Sequence, residues 1–306
     1  MVIDPLEPVR IIASKMLRSL FSGPILPMEQ YTDPPGDPGL FGPDSVAWRV
    51  HADLAVALGG VAALMLQSLH PLALAGVIEH SDFKEAPLER LSRTASFVRG
   101  TIYGSTPVAE SMIDTVRRVH LHVVGTAPDG RPYAATDPDL LRWIHVAEVY
   151  CFMAAHRRYH PRPVRGAEID RYYNEMAVVA EKLGATHVPH SRLEVNEYFR
   201  RVRPQLAKTE QVIRTIHFLT HPDTGNPAVD GVLRFVNPAA IGLLPDWSRE
   251  LLGVRFNRVV EATTVRPAMW SLLGTLRLSL GNPPALAQSL ARCAPAGDEA
   301  PDQLAS

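Results

Sequence analysis

The segment from Thr106 to Gly125 is the strongest structural signal in the chain, because its ends and its apolar pattern agree on one helix. Thr106 is a residue type that caps helices, and Pro107 fits the first helical position, where no backbone N–H is needed. Gly125 suits the left-handed backbone that follows many helices. The segment therefore predicts an amphipathic helix of about five turns.

Two histidines lie on opposite faces of this predicted helix. At about 100° per residue, the side chain of His120 falls on the apolar face and that of His122 on the polar face. The apolar residues nearest to His120 on the helix surface are Ile113, Val116, Val123 and Val124. A histidine on an apolar face is more often a core residue than a metal ligand, so this position alone does not establish a ligand.

The composition is that of a globular protein with a substantial core. Of the 306 residues, 46% are hydrophobic and 21% are charged, and no Gly/Ser-rich or charged linker divides the chain. A net charge of −1 argues against nucleic-acid binding. The basic residues are almost all arginines, whose guanidinium groups can still form local sites for carboxylates or other anions.

Neither the cysteine content nor the hydropathy indicates secretion or a membrane. Two cysteines, Cys151 and Cys293, and the lack of a signal-peptide pattern fit a cytoplasmic protein without a structural disulfide. The longest apolar stretch, Leu54 to Leu66, is shorter than the ~20 residues that cross a bilayer. It predicts a buried core helix and no integral membrane segment.

The whole chain predicts an all-α protein with a single helical domain. Helical patterns dominate, and one short strand or extended arm is expected between Arg131 and Thr136. Pro267 is expected to kink the last long helix, from Arg258 to Leu280. The predicted parts are residues 1–39, with a helix from Asp4 to Leu20 and a Pro/Gly-rich loop; residues 40–281, the helical domain; and residues 282–306, a flexible tail rich in proline and alanine.

Two further histidines and one arginine are candidates for a site. His145 lies on the apolar face of a helix that begins after Asp137, and His70 precedes Pro71 at a break between helices. For both, a core histidine bonded to a neighbouring polar group is the simpler interpretation. On another helix, Arg90 and Thr94 are four residues apart and share one face.

Most of the common catalytic motifs are absent from the sequence. It lacks G-x-G-x-x-G, the P-loop, G-x-S-x-G and H-E-x-x-H. The Glu-x-x-His pairs of helical di-iron sites are also missing, since His145 and Glu148 occur in the reverse order. A helical enzyme of the prenyl type is disfavoured by the lack of an aspartate-rich diphosphate motif. What remains suits haem, whose iron needs one imidazole and whose propionates bind arginine.

Several segments, in one order, resemble a family of haem-dependent oxygenases. The family contains rubber oxygenase (latex clearing protein) and the mycophenolic-acid-pathway oxygenase. The resemblance covers residues 40 to about 270 and implies a globin-like helical domain with a histidine-ligated haem b. The segments are FGPDSVAWRVHAD, LQSLHPLALAGVIEHSDF, RLSRTASFVRGTIYG, VRRVHLHVVG, PDGRPYAATDPDLLRWIHV and, more weakly, RYYNEM.

The resemblance also implies particular site residues. The family's arginine and threonine, four apart, and its proximal histidine further along correspond to Arg90, Thr94 and His120. His120 stands in the family's H-x-x-V-x-G setting. We therefore assign His120 as the iron ligand, and Arg90, Thr94 and His145 as further cofactor-binding residues. His145 and His70 are the alternative ligands.

Position 93 departs from the pattern of rubber oxygenase, which has a lysine beside the threonine that can occupy the distal side of the iron. This chain has Arg93, and an arginine has no lone pair to give to iron. It can instead donate hydrogen bonds to a bound oxidant or a carboxylate, so Arg93 and Thr94 are the catalytic candidates. Lys84, ten residues before Thr94, is not expected to substitute for the missing lysine.

The resulting expectation is a haem b-dependent oxidoreductase, either an oxygenase or a peroxygenase. It would use dioxygen or a peroxide to oxidise a small apolar or aromatic substrate. The alternative is a haem-binding or sensor protein without turnover, because family membership does not guarantee catalysis. The sequence leaves the substrate, the oxidant and the oligomeric state open, and a homo-oligomer is compatible with it.

Overall fold

The computed structural model describes residues 31–81 and 87–294. This part of the chain is mostly helical, with one two-stranded sheet among the described residues, in agreement with the all-α prediction. The predicted helix from Asp4 to Leu20 and the side chain of Lys84 lie outside the described residues. The globin-like arrangement stays a prediction.

The helices follow one another through short connections and are numbered in chain order. They are α1 (Val46–His51), α2 (Val56–Gln67), α3 (Pro71–His80), α4 (Pro87–Tyr103), α5 (Thr106–His120), α6 (Pro138–Tyr159), α7 (Ala167–Leu183), α8 (Arg192–Val202), α9 (Glu210–Thr220), α10 (Pro227–Leu243), α11 (Asp246–Leu252), α12 (Arg266–Leu280) and α13 (Pro284–Cys293). Between α5 and α6, strand β1 (Val124–Thr126) pairs antiparallel with β2 (Pro132–Ala134), which confirms the strand predicted there. A 3₁₀ turn, Arg203–Gln205, follows α8.

The centre of the fold is the contact between α2 and α6, and both helices bury most of their apolar residues. Gly59 allows this close approach, because a Cβ there would lie 2.9 Å from the carbonyl oxygen of Cys151 and 3.0 Å from Cα of Phe152. The buried α2 confirms the core helix predicted from Leu54 to Leu66. In the described ranges, no single helix combines the length and apolar character needed to cross a membrane; α2 and α3 reach that threshold only jointly, across a bend of 109°.

The helix that carries His120 is shorter than the sequence predicts. It ends at His120, and the backbone of Val124–Thr126 pairs with β2 instead of continuing the helix to Gly125. The β-branched valines before Gly125 favour this extended conformation. Gly125 itself is required by the sheet, because a Cβ there would lie 2.7 Å from Cζ of Tyr133.

The N-terminus of α5 is capped from a loop that is distant in sequence. Ser105 is the N-cap residue, not Thr106 as predicted, and its side chain makes no capping hydrogen bond. Instead, Asp37 accepts hydrogen bonds from the backbone N–H and the hydroxyl of Thr106 at 2.9 and 3.0 Å. Burial would raise the pKa of Asp37, but hydrogen bonds from Thr106 and Gly39 lower it overall. The ionised carboxylate therefore satisfies the helix end and ties the loop to α5.

Within the predicted flexible tail, Pro284–Cys293 form α13 and pack against α4, so this part is not the irregular chain that its composition predicts. Arg292 on α13 is only 2% exposed. Its guanidinium donates hydrogen bonds to the backbone carbonyls of Asp37 (2.8 Å), Tyr31 (2.7 Å) and Gly104 (3.3 Å). These partners lie far earlier in the chain, so the local composition contains no sign of them. Residues 295–306 lie outside the described part.

We expect Arg292→Ala to lower the free energy of unfolding by about 3 kcal/mol, because three carbonyl groups lose a buried, charged donor. Urea denaturation measures this loss. Arg214→Ala is the control, since Arg214 forms an exposed ion pair with Glu210 at 3.3 Å and should contribute less than about 0.5 kcal/mol. Equal losses in the two variants would show that Arg292 does not hold the N-terminal loop and α13 together.

The helix predicted from Arg258 to Leu280 is present without a break, and it contains a π-helical turn. A single helical turn (Arg258–Val260) and a π-helical turn (Glu261–Val265) precede α12. Pro267 stands in the first turn of α12, where its missing N–H is tolerated. Within the π-helical turn, the carboxylate of Glu261 is 4% exposed and lies between two arginines. Such turns are frequent at functional sites.

Candidate functional site

The helices α4 and α5 carry most of the residues predicted to serve a cofactor. They pack against each other and are connected through Gly104 and Ser105. A connection this short favours an antiparallel arrangement of two packed helices. Such an arrangement predicts that Arg90, fourteen residues before Gly104, and His120, fifteen residues after Ser105, lie at the same end of the pair.

The side chain of His120 is partly buried and is suited to bind a metal. Burial lowers its pKa, so the imidazole is neutral at physiological pH and keeps a lone pair on one ring nitrogen. No described residue forms a hydrogen bond or ion pair with this ring. His122, two residues further on, is exposed but lies beyond the end of α5, so its position does not test the predicted helix face. These properties fit a single axial ligand of haem iron.

Arg90 is also partly buried. Burial lowers its pKa, and the charge of Arg93 lowers it further, so the surroundings penalise the charged guanidinium. A carboxylate placed beside Arg90 would stabilise that charge. One imidazole and one guanidinium on two packed helices are the donor set that haem iron and a haem propionate need, so the chemistry of these residues fits the cofactor.

The two catalytic candidates, Arg93 and Thr94, are exposed on α4. The guanidinium of Arg93 lies 3.9 Å from the carboxylate of Glu89, one turn earlier. The hydroxyl of Thr94 donates to the backbone carbonyl of Arg90 at 3.1 Å. Arg90 and His120 are thus predicted to share one end of the helix pair, whereas Arg93 and Thr94 are exposed to solvent. Their catalytic role stays a prediction.

Comparison with protein-family models shows which family the chain belongs to. Residues 48–278 match the family model described as "ER-bound oxygenase mpaB/B'/Rubber oxygenase, catalytic domain", which covers about three quarters of the chain. The chain belongs to the mpaB/rubber oxygenase family. No curated protein and no solved structure matches it.

Membership of the mpaB/rubber oxygenase family indicates an oxygenase-type oxidoreductase. The matched range lies within the domain predicted at residues 40–281 and begins at Trp48, after the Pro/Gly-rich loop. All five residues predicted to bind a cofactor or act in catalysis fall inside it: Arg90, Arg93, Thr94, His120 and His145. The family assignment therefore applies to the helices that carry the candidate site.

The alternative ligands His145 and His70 are both buried in this family domain. His145 is 8% exposed, and its pKa is lowered to about 4 by burial and, to a smaller extent, by the charge of His190. Its ring is therefore neutral. His70 is 3% exposed; its Nε2 lies 3.4 Å from Oε1 of Gln205, and its Nδ1 has no hydrogen-bond partner among the described residues. A contact of this kind is typical of a core histidine, and this is the simpler interpretation of His70.

Glu148, one turn after His145 on α6, is a titratable group that the sequence analysis did not select. Burial raises its pKa to about 7, and no described residue forms a hydrogen bond or ion pair with its carboxyl group. Burial raises the pKa of Cys151, and Glu148 contributes to that rise, so the two side chains lie close together. A carboxyl group that titrates near neutrality is a candidate for proton transfer. The one sequence signal for Glu148 was its position three residues after His145. A helical di-iron site has the opposite order, with the glutamate before the histidine.

Removing the charge of Glu148 should stabilise the protein above neutral pH. The folded pKa of about 7 lies above the ordinary value of 4.5, so the folded protein keeps a proton that the unfolded chain releases. Stability therefore falls as the pH rises through this window and is constant above it. Glu148→Gln should raise the free energy of unfolding at pH 8 by roughly 1–3 kcal/mol and change it by less than about 0.5 kcal/mol at pH 4.

Urea denaturation of both proteins at the two pH values measures this difference. Glu181→Gln is a matched control, because Glu181 is partly exposed beside His190 and does not face the interior. Equal stabilisation by Glu148→Gln at pH 4 and pH 8 would show that the effect comes from packing and not from a raised pKa.

Proposed function

We propose that the chain is a haem b-dependent oxygenase or peroxygenase that oxidises a small apolar or aromatic molecule. The observation that carries the proposal is the family match over residues 48–278. It is supported by the neutral, partly buried imidazole of His120 on α5, the helix that packs against the one carrying Arg90.

Each of the polar residues would have a separate task. His120 would hold the iron through a ring nitrogen that its lowered pKa leaves unprotonated. Arg90 would bind a propionate, whose charge offsets the cost of burying the guanidinium. The neutral ring of His145 would orient a propionate or a water. Glu148 would accept or release a proton near neutral pH. Bound haem would supply the redox chemistry with dioxygen or a peroxide.

Bound haem would be expected to keep an open or water-filled ligand site, because Arg93 could not act as an iron ligand. The resting protein should therefore bind cyanide and imidazole readily. Arg93→Ala should keep this binding but slow oxidation about tenfold. This effect is smaller than that expected from removing a buried hydrogen-bond donor, because Arg93 is exposed. Absorption titrations with cyanide and steady-state rates measure the two properties.

The control for this variant is Arg118→Ala, because Arg118 is exposed on α5 and its guanidinium binds Thr115 at 3.0 Å. It should have wild-type ligand binding and rates. A six-coordinate, amine-ligated resting spectrum that disappears in Lys84→Ala would contradict an open site.

The rival proposal is a haem-binding or sensor protein without turnover, and product analysis separates the two. The haem-loaded protein is incubated with a panel of apolar and aromatic compounds and either isotope-labelled dioxygen or labelled peroxide. Labelled oxygen in a product, formed by the wild type but not by His120→Ala, would support an enzyme. Stable haem binding with no labelled product from either oxidant would support the rival.

A further inference from the structure

A cavity of about 770 Å³ lies between α6, α8, the junction of α10 and α11, and the π-helical turn Glu261–Val265. This volume is typical of small-molecule sites. None of the residues assigned to haem is among those that line it. Arg157 in its wall lies twelve residues after His145, roughly 18 Å further along α6. The ligand chemistry of the cavity therefore has to be inferred from its own walls.

The walls of the cavity are strongly basic. Among the described residues that line it, seven are arginines and two are carboxylates. The excess of five positive charges is concentrated here although the whole chain carries a net charge of −1. Like charges held this close repel one another, so a bound anion would stabilise the arrangement.

The buried carboxylate of Glu261 neutralises only part of this charge. It accepts hydrogen bonds from Arg158 at 2.7 Å and from Arg266 at 2.6 Å, so one negative charge is shared by two positive ones. Because Glu261 is 4% exposed, it holds both guanidinium groups in place at the cavity wall. The pair is therefore fixed before any ligand binds.

The second carboxylate, Asp246, is shared in the same way. It pairs with Arg249 and, at 2.7 Å, with Arg258. Arg249 is 8% exposed, lies over the ring of Phe256 at 4.1 Å and donates to the backbone carbonyl of Leu244. This second pair of arginines thus also carries an excess positive charge, with Arg249 buried and Arg258 exposed.

The other three arginines of the cavity pair weakly or not at all with carboxylates of the described residues. Arg157 forms no ion pair there, and Arg200 lies 3.9 Å from Glu197. The guanidinium of Arg203 lies over the ring of Trp247 at 4.9 Å. Their N–H groups are available to an anion, and guanidinium binds phosphate and carboxylate oxygens two at a time.

The same cavity presents a set of aromatic rings. Phe199 packs edge-on against Tyr150 with ring centroids 5.2 Å apart, and its centroid lies 5.7 Å from that of Trp247. No described residue forms a hydrogen bond with the hydroxyl of Tyr150. Aromatic faces beside guanidinium groups suit a ligand with a planar body and charged substituents.

We infer that this cavity binds a small phosphorylated compound with a planar, aromatic body. Its phosphate oxygens would bind the arginines, and its ring would lie against Trp247 and Phe199. A lone carboxylate would offset only one of the five excess charges, whereas a polyphosphate chain carries several charges and many acceptors. This inference does not depend on haem, because it rests on a different set of side chains.

Isothermal titration of the full chain with adenosine triphosphate, adenosine, inorganic phosphate and benzoate tests the inference. Adenosine triphosphate should bind at least about tenfold more tightly than each of the other three, and high salt should weaken it. If inorganic phosphate bound as tightly as adenosine triphosphate, the planar body would not contribute to binding, and that part of the proposal would be wrong. Equal binding of benzoate, or no binding of adenosine triphosphate at low salt, would overturn it.

The double variant Arg157→Ala/Arg203→Ala locates the site. It should weaken the binding of adenosine triphosphate by about tenfold or more. Arg165→Ala is the matched control, because Arg165 is exposed, forms no ion pair with a described residue and does not line the cavity; it should change the affinity less than twofold. Because both replaced side chains are exposed, the fold should be retained, which circular dichroism checks. Wild-type affinity in the double variant would exclude the cavity as the site.

Discussion

His120→Ala should abolish haem binding or replace the wild-type Soret band, whereas His122→Ala should change neither. The two residues are two positions apart, at the C-terminal end of α5 and just beyond it, but they differ in environment. His120 is partly buried with a lowered pKa, and His122 is exposed. The partly buried, neutral ring of His120 can hold the iron. Haem content per chain and the absorption spectrum of each purified variant measure the effect.

His145→Ala completes this comparison, because His145 is the alternative ligand. If His120 is the ligand, His145→Ala should retain haem with a Soret band close to that of the wild type. Loss of haem in His145→Ala together with a normal spectrum in His120→Ala would move the ligand from α5 to α6. Wild-type spectra in both variants would leave neither as the ligand.

Acid should destabilise the protein strongly between pH 6.5 and pH 4, because three interior histidines resist protonation. Burial lowers the pKa of His51 to about 3 and of His145 and His156 to about 4, with smaller contributions from neighbouring histidines. As the pH falls, these histidines become protonated in the unfolded chain before they do so in the folded protein. The stability that the neutral rings contribute is fully present above pH 6.5 and is lost below it. We expect a loss on the order of 5 kcal/mol, comparable to the stability of many domains. Glu148 offsets part of it, since its contribution grows as the pH falls.

His156 gives the sharpest test of this prediction. It is fully buried, stacks on His160 with ring centroids 4.4 Å apart, and its Nε2 has no hydrogen-bond partner among the described residues. His156→Gln cannot be protonated, so the loss of stability between pH 6.5 and pH 4 should shrink by roughly 2 kcal/mol, whereas the exposed control His122→Gln should leave it unchanged. Denaturation curves across this range that superimpose for wild type and His156→Gln would contradict the prediction.

The sequence predicted the helices best where their signals are local. The apolar run from Leu54 to Leu66 and the proline at the start of α5 predicted α2 and α5, because burial pattern and backbone restriction act within a few residues. The predicted helix ends that depend on partners distant in the sequence were wrong. Gly125 belongs to a strand because β2 is available to pair with it. Arg292 is ordered by carbonyls from the N-terminal loop and the end of α4.

For the candidate site, too, the sequence predicted the local features and missed those that depend on tertiary packing. Helix periodicity and the family resemblance selected His120 and Arg90, which lie on the packed helices α5 and α4. The partial burial of Glu148 depends on how α6 packs against its neighbours, so no local pattern indicated its raised pKa. The arginine cavity was not predictable either, because Arg157, Arg203 and Arg249 meet only through the packing of three separate segments.

The absorption spectrum of the wild-type protein, purified from cells supplied with iron and a haem precursor, is the most direct test of the cofactor proposal. A haem b spectrum, confirmed by the pyridine haemochrome and corresponding to about one haem per chain, is the expected result. The same sample should shift its Soret band on addition of cyanide. A colourless protein that also fails to take up added haemin would contradict a haem-dependent oxidoreductase, whatever its family.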